Sequence, residues 1–201
     1  MTPTDHINSF ARRIPVWLVY ALLLLPVPWL LYLAQTGGLG REPIKALEHE
    51  LGEIALQLLI VGLAITPLRR HLRINLLKFR RALGLLAFIY VVLHLLVWLV
   101  LDVGILSQIW SDILKRPYIT IGMASFVLML PLAVTSNNWS VRKLGPAWNK
   151  LHRLVYIAVI LGAAHFIMVK KVWELEPLIY LAIILGLIVL RLPKRRRIQP
   201  A

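Results

Sequence analysis

Residues 151–166 read LHRLVYIAVILGAAHF, an apolar stretch that carries two histidines, His152 and His165. Its length and apolarity are typical of a membrane-spanning helix, which needs about 20 residues to cross about 30 Å of hydrocarbon. Imidazole is costly inside a membrane and usually belongs to a pathway, a ligand site or a buried partner. A third histidine, His94, stands alone in another apolar stretch. These three residues are therefore the first candidates for a functional site.

The composition of the whole chain is that of a membrane protein. Hydrophobic residues make up 59% of its 201 residues, well above the roughly 45–50% of soluble domains. The absence of cysteine excludes disulfides, thiolate metal sites, iron–sulfur clusters and covalently attached haem. The net charge of +14 comes from cations that cluster between apolar runs. Membrane topology explains that pattern, and we expect no nucleic-acid partner.

Six apolar runs predict an all-α integral membrane protein, a six-helix transmembrane bundle that forms a single domain over residues 1–201. The predicted spans are residues 16–34, 47–66, 82–101, 118–135, 151–169 and 177–190. Pro26, Pro28 and Pro131 lie within spans and should bend them. Between the third and fourth spans, residues 104–115 have apolar side chains at three- and four-residue spacing. This segment forms either a helix on the outer surface or an ordinary loop.

The distribution of charge predicts the orientation of the bundle. Most of the 23 lysines and arginines lie at the N-terminus, in the second and fourth connections and at the C-terminus; the exceptions are Arg41, Lys45, Lys115, Arg116, Lys170 and Lys171. Basic connections stay in the cytoplasm, so both termini are predicted to be cytoplasmic. The first apolar run lacks a convincing signal-peptide cleavage site and is expected to remain as a helix.

His94 and His165 are predicted to lie at the same depth. The third and fifth helices both run outward, and each histidine is about 20 Å along its helix at 1.5 Å per residue. Two neutral imidazoles at one level, with no thiolate in the chain, match bis-histidine axial ligation of a b-type haem. The alternative is two independent buried histidines, each hydrogen-bonded to a neighbouring helix.

The other histidines admit two interpretations each. His152 lies about 20 Å below His165, and is either an interfacial side chain or the ligand of a second, inner haem. His71, on the basic inner connection, is a candidate for the missing ligand of that haem, although loop histidines are more often solvated. His49 either reaches the outer cofactor or a periplasmic partner, or belongs to an exposed polar helix start.

The basic inner connections also have two interpretations. Their cations either determine only the orientation of the protein in the membrane, or some of them also pair with haem propionates or with the phosphate of FMN. Guanidinium groups recognise both anions well. The candidate contacts are Arg80, Arg81, Lys150 and Arg153.

Several motifs together resemble a known family. They are RRALGL (80–85) with Phe88, Tyr90 and His94, RPYITIG (116–122), Thr135-Ser136, RKLG (142–145) with Trp148, and LHRLVY (151–156). With GGLG (37–40) and residues 43–49 they cover nearly the whole chain. The chain resembles the haem-binding membrane subunits of bacterial methionine sulfoxide reductase systems, the MsrQ family of the ferric-reductase-like transmembrane group.

This resemblance implies a multi-pass b-type cytochrome of the bacterial inner membrane, surrounded by lipid, with one or two haem b groups and FMN. Electrons would come from the quinone pool or a cytoplasmic flavin reductase. They would go to a periplasmic molybdopterin-containing methionine sulfoxide reductase that repairs oxidised proteins. The chain would not be an enzyme on its own and would carry no catalytic residue. The family's haem ligands correspond to His94, His152 and His165, although the third helix has one histidine where the wider group has two.

Two other functions stay open at this point. One is a histidine-based proton or metal-ion transporter, and the other is a haem-free assembly subunit. The absorption spectrum of the purified protein separates a transporter from an electron conduit, and electron delivery with all three histidines replaced would support the assembly subunit.

Overall fold

The computed structural model describes residues 2–170 and 174–192, which form helices joined by short connections, with no strand among them. The helices are α1 (Pro3–Arg13), α2 (Val16–Leu24), α3 (Pro26–Thr36), α4 (Pro43–His71), α5 (Arg80–Leu96), α6 (Leu106–Lys115), α7 (Pro117–Val134), α8 (Asn138–Leu144), α9 (Pro146–Leu151), α10 (Leu154–Val169) and α11 (Leu175–Arg191). A 3₁₀ turn, Leu77–Phe79, leads into α5, and a π-helical segment, Val97–Val103, continues it.

The protein is a multi-pass membrane protein, as the sequence predicts. Five helical segments of the described chain are long and apolar enough to cross a membrane: Val16–Thr36, Pro43–His71, Leu77–Val103, Pro117–Val134 and Pro146–Val169. They coincide with the first five predicted spans, and most extend beyond the predicted ends. The sixth predicted span forms α11, a helix of 17 residues. That α11 crosses the membrane and that both termini are cytoplasmic stay predictions.

Two helix pairs form the centre of the bundle. The long helix α4 packs along α5, and α7 packs along α10, while α5 also contacts α7 and α10 also contacts α4. The last helix, α11, lies against both α10 and α4. On the other side, α2 packs on α5 and α3 packs on α4. Each central pair carries one of the deeply placed histidines, so the pairing of these helices decides where the histidines meet.

The first span is broken where the sequence predicts a bend. The break between α2 and α3 falls at Leu25, because Pro26 has no N–H to continue the helical hydrogen bonds. Near this break, the hydroxyl of the fully buried Tyr90 donates a hydrogen bond of 2.7 Å to the carbonyl of Leu23. The third span therefore holds the broken first span in place through a polar contact.

Three shorter helices, α1, α6 and α8, lie outside the five long apolar segments. The predicted outer segment is a helix, α6, with Leu106, Trp110 and Leu114 exposed along one side. At the other end of the bundle, α1 attaches to the connection after α4. The Asn8 side chain donates to the carbonyl of Arg73 at 3.0 Å and accepts from the backbone N–H of Asn75 at 2.7 Å.

Candidate cofactor sites

His94 lies on α5 with its ring against the backbone of α4. Its Nδ1 is 2.8 Å from the carbonyl oxygen of Glu48. A carbonyl can only accept, so Nδ1 carries the proton and Nε2 keeps its lone pair. The ring fits here because residue 52 is glycine: a Cβ at Gly52 would lie 3.0 Å from Nδ1. Helix α4 thus fixes both the position and the tautomer of His94.

His165 repeats this arrangement on the other helix pair. It lies on α10, and its Nδ1 is 2.7 Å from the carbonyl oxygen of Tyr118 on α7. A Cβ at Gly122 would lie only 2.8 Å from Nδ1. In both pairs the accepting carbonyl comes four residues before the glycine, so the two histidines rest on equivalent turns of two different helices. His165 therefore also presents Nε2 as a free ligand atom.

The two rings face each other across the pairs. Their centroids are 6.1 Å apart and their planes make an angle of 81°. A metal–imidazole bond of about 2 Å plus about 1 Å from nitrogen to ring centre, on each side, gives about 6 Å for two imidazoles that share one iron. Neither Nε2 makes a hydrogen bond within the described part of the chain. The sequence prediction that these histidines lie at one level agrees with this geometry.

The two histidines line a pocket of about 290 Å³ at the end of the bundle that the charge distribution predicts to face outward, and this pocket is called the outer pocket. The cations Lys45 and Arg116 and the acidic side chains Glu48 and Asp102 are also part of its lining. Arg116 donates to the hydroxyl of Tyr118 at 3.2 Å. This hydrogen bond raises the pKa of the Arg116 guanidinium above its ordinary value. Arg116 also forms an ion pair with Asp112 at 3.2 Å, so part of its charge is balanced within the chain.

A larger pocket of about 520 Å³ lies at the inner end of the same bundle. Its lining includes the cations Lys78, Arg80, Arg81 and Arg191, and no carboxylate is found in its described lining. Volumes of this size are typical of cofactor sites. The charge of the lining favours an anionic occupant.

His152 lines the inner pocket and has the opposite tautomer to His94 and His165. Its ring stacks on Trp148 with centroids 3.8 Å apart, and its Nε2 is 3.0 Å from Oγ1 of Thr135. That hydroxyl donates its single proton to the carbonyl of Pro131 at 2.6 Å. It must then accept from His152, so Nε2 of His152 carries the proton. The lone pair of this ring is on Nδ1.

The two pockets share a wall. Leu59 and Met129 line both of them. Phe88 on the inner side stacks against Phe126 on the outer side, with centroids 6.0 Å apart and an angle of 2° between the planes. Groups bound in the two pockets would be neighbours, separated by apolar side chains only.

The structure separates the predicted site residues into three groups. His94, His165 and His49 line the outer pocket, and His152, Arg80 and Arg81 line the inner one. Lys150, Arg153 and His71 are exposed and lie outside both described linings. His71 is the last residue of α4 rather than part of a loop, because the helix runs five residues past the predicted span.

Sequence reasoning missed three residues that shape the sites. Gly52 and Gly122 were not predicted to matter, although their spacing after Glu48 and Tyr118 is a signal once the histidine contacts are known. Arg191 was counted only as part of the basic C-terminus. Its position at the end of an apolar helix, three to six residues before the following cations, gave no sign that it turns inward.

The chain is similar to known proteins over most of its length. Residues 51–163 match the family described as ferric reductase like transmembrane component. The chain is 50% identical over 188 residues to a protein of Brucella anthropi, and 51% identical over 189 residues to proteins of Brucella ovis and Brucella canis. Each match covers 92% of this chain and 86% of the relative. All three are named protein-methionine-sulfoxide reductase heme-binding subunit MsrQ. No solved structure matches significantly.

The fold and the matched segment define a ferric-reductase-like transmembrane protein. Helix α5, which carries His94, and most of α4 lie within the matched residues, and His165 follows two residues after them. At this level of identity over nearly its whole length, the chain belongs to the MsrQ family, which confirms the predicted resemblance.

Proposed function

We propose that this chain is the haem-binding, electron-transferring membrane subunit of a protein-methionine-sulfoxide reductase system. The observation that carries the proposal is the facing pair of His94 and His165, each with Nδ1 tied to a carbonyl and Nε2 free. The relatives are named as heme-binding subunits of this reductase. When bound between the two rings, a haem b would store one electron at a time in a site that the surrounding helices insulate.

The donor set supports haem more than a hydrolytic or transported metal ion. Two neutral imidazoles on opposite sides of a gap suit the two axial positions of a haem iron. No group of three or more histidine and acidic side chains able to hold a metal ion is found in the described chain. The cations Lys45 and Arg116 in the pocket lining would pair with the propionates in exchange for their ion pairs with Glu42 and Asp112. The chain's own residues thus supply ligands, orientation and charge.

The inner pocket is proposed as the site of FMN. Its basic lining suits a phosphate, and the stacked pair of Trp148 and His152 offers a flat surface for a flavin ring. The proton on Nε2 of His152 makes this nitrogen a donor rather than a ligand in the structure. A second haem with His152 as its ligand is the alternative. Its iron would bind the lone pair on Nδ1, or Nε2 once the hydrogen bond to Thr135 is broken.

The positions of the two pockets support an electron flow from the inner to the outer side. The inner pocket opens near the basic connections, where a cytoplasmic flavin reductase or a quinone in the membrane would deliver electrons. The outer pocket opens beside Glu48 and Asp102, where a periplasmic molybdopterin-containing methionine sulfoxide reductase would accept them. Reduction of the sulfoxide belongs to that partner, so this chain by itself is not an enzyme.

Absorption spectra of the purified protein and two variants test the outer site. In His94→Ala and His165→Ala, the loss of one axial ligand should abolish the six-coordinate low-spin haem spectrum and lower the haem content by more than about tenfold, because one lost ligand bond exceeds about 1.4 kcal/mol. His6→Ala, an exposed histidine of α1, is the matched control and should keep the wild-type spectrum.

Two results would contradict the proposal. A protein expressed with ample haem that shows no Soret band would favour the transporter hypothesis. Normal electron delivery to the periplasmic partner with His94, His152 and His165 all replaced would support a haem-free assembly subunit. Measuring haem and flavin per chain in the same samples decides between FMN and a second haem in the inner pocket.

A further inference from the structure

Arg191, the last residue of α11, is buried in the wall of the inner pocket with 8% of its surface exposed. Its Nε and Nη2 donate to the carbonyl of Leu63 at 2.9 and 2.6 Å, and Nη2 also donates to the carbonyl of Gly62 at 3.1 Å. Nη1 donates to the hydroxyl of Tyr156 at 3.1 Å. These bonds hold the guanidinium between α4 and α10.

A proline explains why α4 offers a carbonyl to Arg191. In an α-helix the carbonyl of Leu63 would accept from the N–H four residues later. That residue is Pro67, which lies inside α4 and has no N–H. The carbonyl of Leu63 is therefore left without its helical partner, and Arg191 supplies two N–H groups in its place. Pro67 thus fixes where the guanidinium stands.

These hydrogen bonds leave the positive charge of Arg191 without a counterion among the described residues. The ion pairs of that part of the chain involve Glu42, Asp112 and Glu174, and none includes Arg191. Three more cations, Lys78, Arg80 and Arg81, line the same pocket. A buried charge without an opposite partner is expensive, and its like-charged neighbours add to the cost. An anion in the pocket would remove most of this cost.

We propose that Arg191 binds the anionic group of the cofactor in the inner pocket, and that the Leu63 carbonyl left free by Pro67 positions Arg191 for this contact. The inference rests on the proposed function, which assigns a cofactor to this pocket. The shared chemistry is an oxygen-rich anion, either the phosphate of FMN or a propionate of haem. A guanidinium with one Nη1 proton still unused suits both.

Flavin titration of the full-length protein in detergent, after removal of bound flavin, tests the proposal. FMN and riboflavin are compared because riboflavin lacks the phosphate. Arg191→Gln should weaken FMN binding by about tenfold or more, since a charge-assisted hydrogen bond contributes about 1.5–3 kcal/mol. Riboflavin binding should change by less than about twofold. Arg142→Gln, an exposed arginine of α8 outside the pocket, is the matched control and should bind both flavins as the wild type does.

A double variant separates this role from simple capping of α4. Pro67→Ala returns an N–H to the carbonyl of Leu63. If Arg191 only satisfies that carbonyl, Pro67→Ala with Arg191→Gln should regain wild-type FMN binding, and this result would overturn the proposal. If the charge of Arg191 holds the phosphate, the double variant should stay as weak as Arg191→Gln. The outer haem spectrum reports in each variant whether the bundle is intact.

The haem content of the variants tests the alternative anion, which is a haem propionate. If the wild type binds no flavin and holds two haems, Arg191→Gln should lose one of them while the outer spectrum stays. Two retained haems, or equal loss of FMN and riboflavin, would contradict the proposal. Absence of the outer haem in the wild type would instead contradict the proposed function, so the two failures are distinguishable.

Discussion

At the scale of single residues, the outer site depends on two glycines as much as on two histidines. Gly122→Ala would place a Cβ 2.8 Å from Nδ1 of His165, and Gly52→Ala would place one 3.0 Å from Nδ1 of His94. Each ring would have to move away from its carbonyl. Overpacking of this kind costs about 1–3 kcal/mol, so we expect haem affinity to fall about ten- to a hundredfold in Gly122→Ala and less in Gly52→Ala. Haem titration of the apoprotein measures this.

A third glycine provides the control for these two. A methyl group added at Gly186 on α11 would meet no atom within 4 Å, so Gly186→Ala should leave haem affinity unchanged. Alanine should also stabilise α11 by about 0.5–1 kcal/mol, because glycine is a poor helix former. Equal haem affinity in all three variants would show that the rings do not need the bare helix backbone.

The histidines and the glycines also differ in how far sequence predicts them. His94 and His165 were predicted because depth follows from counting residues along a helix. Gly52 and Gly122 could not be predicted, since their role depends on how each helix is rotated against its neighbour. The tautomer of His152 could not be predicted either. It depends on the hydrogen bond to Thr135, which joins the end of α7 to the end of α9.

At the scale of elements, the first five predicted spans coincide with helical segments long enough to cross a membrane, and the sequence predicts their positions better than their ends. Apolar composition predicts where the hydrocarbon begins, but α4 continues to His71 because arginines are good helix formers and suit a helix C-terminus. The break in the first span at Pro26 was predicted from the residue itself. The sequence did not predict the contact between Arg191 and the Leu63 carbonyl that Pro67 leaves free, because this contact joins two helices that are far apart in sequence.

The outer helix α6 carries a prediction of its own. Leu106, Trp110 and Leu114 are exposed at 81%, 65% and 69% and lie four residues apart on one face. Such a stripe is typical of a helix in the plane of the membrane interface. A spin label on Trp110→Cys should therefore be accessible to oxygen at headgroup depth, as measured by power-saturation EPR in vesicles. A label on Ser107→Cys should be accessible to a water-soluble relaxant, and equal water accessibility at both sites would place α6 outside the interface.

At the scale of the whole molecule, two similar helix pairs together make the outer site, and the last helix completes the inner one. Each pair contributes one histidine, one carbonyl and one glycine, so neither pair alone supplies two axial ligands. Helix α11 brings Arg191 to the inner pocket. A chain shortened before α11 is expected to keep the outer haem spectrum and to lose FMN, which pigment analysis of the purified variant measures. Loss of both would show that α11 is needed for the bundle itself.

We expect α11 to cross the membrane, because it runs along α4. Its early residue Tyr180 donates to Glu53 at 2.9 Å, and its last residue Arg191 donates to the carbonyl of Leu63. The two helices thus run in the same direction from the outer to the inner pocket. The chain has no cysteine, so single cysteines can report the side. With a membrane-impermeant maleimide on intact spheroplasts, Ser107→Cys should react, whereas Asn149→Cys and Leu192→Cys should react only after permeabilisation. Reaction of Leu192→Cys from outside would mean that α11 turns back before crossing.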